Sequence, residues 1–281
     1  MSGGEPMVRR GAVRAVASSL GRSAATALIT VAVVIGAWFA IIAVLDISSF
    51  LAKTPLDVID WLFVREDAPE NLAKVWGLLL ITLADASIGF SVGLLVALIV
   101  ALAFALSRGL EQALMPMALL LRSIPLVALA PILMLIFGRG ITMTAVMGAI
   151  VVLFPALVTI AFGLRSASAQ IADVITVYGG TRLTVLRTVA LPSSMPAFFA
   201  AVRISVPAAI TGALLAEWLA TGQGLGYSIT TAVAQVKNFE VWSSVVAVTL
   251  ASVVLYALAQ LVENIVLARM GAAAIGDAHR P

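Results

Sequence analysis

The residues of this chain that could do chemistry are charged side chains set among long apolar runs. Asp85 lies within one run and Glu217 near the end of another. A carboxylate in such a place is costly unless it pairs, takes a proton or lines a water-filled path. Asp85 can therefore line a pore or pair with a neighbouring helix, and Glu217 can belong to a gate or act as a structural anchor. Arg203 is expected to pair with a neighbouring helix, Glu263 to be structural, and Arg122 to snorkel or pair. Most other chemistries are excluded by residue type. There are no cysteines, so disulfides, thiolate metal sites and a cysteine nucleophile are absent. The single histidine, His279, cannot build a metal cluster or a triad. Lys53, Lys74 and Lys237 follow Ala, Ala and Val, so no Gly-Lys of a P-loop exists. The stretch from Gly222 to Tyr227, GQGLGY, opens no βαβ unit and is not read as a phosphate loop.

These charges must be positioned by membrane helices. Hydrophobic residues make up 62% of the 281 positions and charged residues 11%, against about 25% charge in soluble domains. Mean hydropathy is +1.12. The net charge of +3 is scattered, which suits membrane orientation and not a nucleic-acid groove. A crossing helix needs about 20 mostly apolar residues. Six such runs are present, at roughly 24–45, 77–106, 114–138, 141–164, 194–220 and 241–268. The expected fold is all-α and integral to the membrane, with a permease domain over 24–270 between tails 1–23 and 271–281. Gly89 and Gly93 form a small-residue ridge for close helix approach. Pro125 and Pro131 predict a broken or kinked third span, and Pro155 and Pro207 milder kinks in the fourth and fifth. The amino-terminal run is too long for a cleaved signal peptide and is read as a retained span.

Basic residues in the short loops orient the chain. Arg9, Arg10, Arg14, Arg22, Arg108, Arg165, Arg182, Arg187, Arg269 and Arg280 fall on one side, taken as cytoplasmic, with both termini. The other side has Lys53, Arg65, Lys74, Arg139 and Lys237 amid many acids.

Between the fourth and fifth runs lies a polar insert from Asp173 to Pro192, DVITVYGGTRLTVLRTVALP. A short helix over 170–178 should stop at Gly179-Gly180, because glycine accepts the backbone angles of a turn. Thr181 should cap a second helix through Thr188, ended by Leu191-Pro192. Its apolar residues, among them Ile171, Val174 and Val177, are too many for a free loop and imply docking or packing. After the fifth run, a tight turn and a short helix over 229–236 are expected, with a plain loop as the alternative.

The insert resembles the EAA loop of ABC importer permeases. Asp173 stands for the acid, Gly179 for the glycine, and Val189-Ala190-Leu191-Pro192 for the closing I-x-L-P, while Val174-Ile175 replace the two alanines. Arg122-Ser123-Ile124-Pro125, Phe154-Pro155, Gly163-Leu164-Arg165, and Glu217 with Gly224-Leu225-Gly226-Tyr227 resemble further family segments in order. Over roughly 75–270 the chain is similar to the nitrate/sulfonate/taurine branch of binding-protein-dependent importers. The resemblance implies that Asp173, Gly179, Gly180, Arg182, Leu191 and Pro192 form an ATPase-coupling loop, and that the pore or gate involves Asp85, Pro125, Pro207, Glu217, Gly224 and Gly226. It also implies two permease copies, two cytoplasmic ATP-binding subunits, an extracytoplasmic substrate-binding protein and a bacterial inner membrane. No cofactor is expected in this chain, and Mg-ATP is expected on the partner. An ion-gradient-driven secondary transporter or channel is the alternative. It explains intramembrane charge but leaves the insert without a role.

Overall fold

The computed structural model describes residues 29–277, with side chains placed through 271, and every element among them is helical. The tail over 1–23, the start of the first run at 24–28, His279 and Arg280 lie outside the described residues. Two units are distinguished, dividing at Ala68 and Pro69.

In the first unit, α1 spans Ile29–Val44 among the described residues. A short helix, α2 (Pro55–Ile59), follows and continues into a wider turn of π geometry over Asp60–Val64. Thr54 caps it through a reciprocal box: its hydroxyl accepts from the Asp57 N–H at 3.2 Å, and its N–H donates to Asp57 Oδ2 at 2.8 Å. The N–H and hydroxyl of Thr54 together hold the Asp57 carboxyl below its ordinary range.

The second unit begins with α3 (Ala68–Leu106), whose 39 residues extend about 58 Å, well beyond the hydrocarbon thickness. Then come α4 (Arg108–Leu121), α5 (Leu126–Phe137), α6 (Ile141–Arg165), α7 (Ala169–Val177) and α8 (Arg182–Val185). The chain closes with α9 (Leu191–Ala216), α10 (Gly224–Ala234) and α11 (Asn238–Asp277). Four stretches are long and apolar enough to cross a membrane: α3, α6, Arg182–Thr221 and Asn238–Gly271. The pair α4–α5 makes a fifth if it is counted as one span, bent by 103° at its break. The break falls at Arg122–Pro125, where the proline ring disfavours helical geometry at Ile124. Pro131, Pro155 and Pro207 interrupt nothing and lie within continuous helices.

Two boundaries differ from the sequence expectation. Leu191-Pro192 does not end the second helix of the insert; it opens α9, and the helical path runs unbroken from Arg182 to Thr221. Leu186–Ala190 form a π turn in which the Leu191 N–H reaches back to Leu186 O. That shift of register lets Pro192, which has no N–H to give, enter the first turn of α9 without breaking the path. Likewise α10 starts at Gly224, so Gly224 and Gly226 lie in its first turn and not in a preceding loop.

α6 and α9 pack along most of their length, with α3 laid across them. A Cβ on Gly89 would sit 2.6 Å from Gly148 Cα, and one on Gly212 would sit 2.8 Å from the same atom. Gly93 lies equally close to Ala149 and Val152. Three backbones therefore touch where lipid-solvated helices gain most from direct packing. Along the junction, Ala97, Ala101, Val152, Ala156, Ile160 and Ala213 belong to one buried apolar seam.

Gly148→Val should destabilise the protein by about 1–3 kcal/mol through overpacking. Gly77→Ala on α3, where nothing lies within 4 Å, should be neutral or stabilise by up to about 1 kcal/mol. Thermal unfolding in one detergent compares the two, and equal midpoints would remove the junction's role.

Candidate functional site

The insert forms a capped helical hairpin at one end of the second unit. Ser168 Oγ caps α7 by accepting from the Ile171 N–H at 3.4 Å. The helix stops because Gly179 adopts φ +85, a conformation open to glycine, while the Gly180 N–H returns to Ile175 O at 2.8 Å. A side chain on Gly180 would strike Ile175. Thr181 then caps α8 through a reciprocal box with Thr184.

Two polar contacts tie this end together. Arg182 Nη1 donates to Leu106 O at 3.2 Å, where the last turn of α3 leaves carbonyls free. Arg165 at the end of α6 pairs with Glu111 of α4 at 3.0 Å. Both contacts border a cavity of about 1170 Å³, also lined by Arg108 and Asp173. Asp173 is exposed on its wall. The outer surface of the hairpin is apolar and uncovered: Val177 is 84% exposed and Tyr178 88%, with Ile171, Val174 and Leu183 also open.

The other group of expected site residues meets at the opposite end of α9. Glu217 is 0% exposed, and its Oε2 accepts from the Gly226 N–H at 2.7 Å and from the Thr82 hydroxyl at 3.0 Å. Thr82 Oγ1 in turn accepts from the Leu225 N–H at 2.9 Å. Gly224, at φ +75, packs directly on the Glu217 carboxyl, and a Cβ on Gly226 would strike Leu214 O. Glu217, Gly224 and Gly226 thus form one cluster with α3, where Asp85 lies one turn past Thr82 and is 8% exposed. Pro125 is exposed at the α4–α5 break and Pro207 sits mid-helix in α9; neither joins this cluster.

Arg203 pairs with Glu263 at 3.1 Å, as a charge inside a span should. Thr82 escaped the sequence reading because a threonine in an apolar helix usually bonds its own backbone. Its place three residues before Asp85 was the available signal. Among the described residues, no group of three or more His, Cys, Asp and Glu could hold a metal.

The sequence profile of the family described as "Binding-protein-dependent transport system inner membrane component" matches residues 89–272. The chain is 37% identical over 193 residues to the riboflavin transport system permease protein RibX of Chloroflexus aurantiacus, covering 69% of this chain and 72% of that protein. It is 30% identical over 186 residues to the formylaminopyrimidine transport permease protein ThiX of Halalkalibacterium halodurans, covering 66% and 74%. It is 25% identical to the putative aliphatic sulfonates transport permease protein SsuC of Bacillus subtilis, covering 73% of each. Its fold is similar to a chain of the MetNI methionine ABC transporter in inward-facing conformations, with TM-score 0.55 and 19% identity over 74% of this chain and 99% of that one.

Thr82→Val removes the hydroxyl that serves both Glu217 and the Leu225 N–H. It should cost about 1–3 kcal/mol, because buried polar groups lose their partner. Thr249→Val, whose hydroxyl bonds only its own helix, is the matched control in chemical denaturation.

Proposed function

Because the chain belongs to the binding-protein-dependent inner membrane transport components, it is a permease subunit of an ABC transporter, and we propose that it is the solute-conducting subunit of an importer whose ATPase docks on the α7–α8 hairpin. An ion-gradient-driven carrier or channel is not favoured by that membership. The observation that carries the docking reading is the exposed apolar face of Val174, Val177 and Tyr178 on a hairpin stiffened by two caps. An apolar surface on a capped element fits a protein groove.

In this reading the hairpin is the coupling element and lies in the cytoplasm, with both termini. The first run and the bent α4–α5 pair complete six crossings, counted with α3, α6, α9 and α11. Two copies of the chain enclose the pathway, two ATP-binding subunits carry Mg-ATP, and an extracytoplasmic binding protein delivers a small organic solute. Arg182 is the mechanical link: a push on the hairpin passes through its bond to Leu106 O into the end of α3. The unbroken path from α8 into α9 carries the same push along the fifth span. A partner moves such an equilibrium only by binding one state better than the other. Closure of the ATPase pair supplies that difference by drawing the two hairpins together. Asp173 is exposed on the wall of the cavity and is assigned to meeting the ATPase.

Gly179→Pro forces φ near −65° on a residue that needs +85 and should collapse the hairpin turn. The ATP-binding subunit should co-purify with the wild-type permease and be lost, or be uncoupled from solute, in Gly179→Pro and in Tyr178→Asp. Co-purification and coupling unchanged in both would refute the docking site.

A further inference from the structure

The cavity between α4 and the hairpin combines a cationic rim with apolar walls, which a coupling hairpin does not itself require. Arg108 and Arg165 are the first charges after the apolar runs of α3 and α6, so the cavity opens where these helices leave the hydrocarbon. There α4 presents two opposite sides. Arg108, Glu111, Met115 and Leu119 line the cavity, at spacings that share one side of a helix. Leu110, Leu114, Met117 and Leu121 lie exposed on the other side. A helix patterned in this way lies in the plane of the interface with its apolar side in the acyl layer. The side lining the cavity is then at the level of the lipid headgroups.

The charges of the rim do not cancel. Three arginines, Arg108, Arg165 and Arg182, line the cavity with two carboxylates, Glu111 and Asp173. Arg165 is matched by Glu111 at 3.0 Å. Arg182 donates one N–H to the neutral Leu106 carbonyl. Among the described residues, no ion pair joins Arg108, Arg182 or Asp173 to another side chain. Beyond the rim, Ala101 and Phe104 of α3, Leu164 of α6 and Leu186 make the walls apolar. The volume of about 1170 Å³ exceeds the roughly 300–1,000 Å³ of pockets that bury a drug-sized molecule.

We propose that this cavity binds one anionic phospholipid, its phosphate held by Arg108 and Arg182 and its acyl chains running over Phe104, Met115 and Leu119 into the bilayer. Basic pockets between membrane helices select anionic headgroups in this way. A guanidinium fork matches two phosphate oxygens at once, which gives the contact direction as well as charge. A zwitterionic lipid brings a cation of its own to the arginine rim, and a free phosphate makes no use of the apolar walls. Only an anionic amphiphile satisfies both halves of the cavity. Such a site needs no docked ATPase, so it is tested on the full-length chain alone.

The chain is purified in detergent, stripped of lipid and titrated separately with dioleoyl phosphatidylglycerol, dioleoyl phosphatidylcholine and glycerol 3-phosphate. Native mass spectrometry counts the bound lipid, and the thermal midpoint reports the stabilisation that binding brings. Phosphatidylglycerol should bind as a single molecule per chain and raise the midpoint, and the other two should do neither at the same concentration. Arg108→Gln removes a charge-assisted hydrogen bond to the phosphate and should weaken phosphatidylglycerol about tenfold. Met115→Trp fills the apolar part of the cavity and should also weaken it. Arg187→Gln removes the same charge from the same end of the protein, but Arg187 lines no part of the cavity, so binding should be unchanged. Equal binding of phosphatidylcholine, an equal shift with glycerol 3-phosphate, full affinity in both cavity variants, or equal losses in Arg108→Gln and Arg187→Gln would each overturn the site. Should Arg108→Gln fail to fold, Met115→Trp against Arg187→Gln decides.

Discussion

Where α3, α6 and α9 cross, the chain brings Gly89, Gly148 and Gly212 close enough that no side chain fits between them, and both ends of the bundle are set from there. Helices solvated by lipid gain little from hiding apolar surface, so direct backbone approach has to supply the attraction. On α3, Thr82 lies two turns from Gly89, about 10 Å along the axis. Glu217, directly after α9, follows Gly212 by little more than one turn. The crossing therefore delivers the Thr82 hydroxyl to the Glu217 carboxyl. In the other direction, the seam of Ala97, Ala101, Val152, Ala156 and Ile160 keeps α3 against α6 until Leu106 O meets Arg182.

Backbone satisfaction is the second constraint, and it shapes the segments on either side of the long helices. A proline inside an apolar helix removes a donor that no water can replace. Ahead of Pro192 the chain widens into a π turn, and so the path from α8 to α9 stays helical. Ahead of Pro125 no such turn forms, and the chain bends by 103°. A stiff connection from α8 into α9 and a sharp corner between α4 and α5 are mechanically different parts. Only the first can carry a push along its length.

The two ends of the bundle consequently have opposite chemistry. The hairpin end has an exposed apolar face over an open, charge-lined cavity, as suits a surface that a partner protein covers. The other end is closed around the Glu217 carboxyl, whose hydrogen bonds come from the Thr82 hydroxyl and the Gly226 N–H. There the small size of Gly224 and Gly226 matters, since each lies against Glu217 or Leu214, and Gly224 also adopts a positive φ.

Much of this was legible in the residues alone. Composition and run length specified membrane helices, because transfer of backbone and apolar side chains into lipid depends on local sequence only. The turn at Gly179, the cap at Thr181 and the break at Pro125 were equally readable, since each is a short-range steric or hydrogen-bonding preference. The ridge of Gly89 and Gly93 announced a close approach but not its partners, Gly148, Ala149 and Val152. What only the tertiary structure decided was pairing across distance: Arg182 with Leu106, Arg165 with Glu111, and Glu217 with Thr82 and Asp85's helix. It also decided that Pro192 begins a helix, because an i→i−5 bond from Leu191 had already shifted the ladder. Local sequence carries propensity and solvent preference, while the environment of a buried charge is made by whichever helices the packing brings beside it.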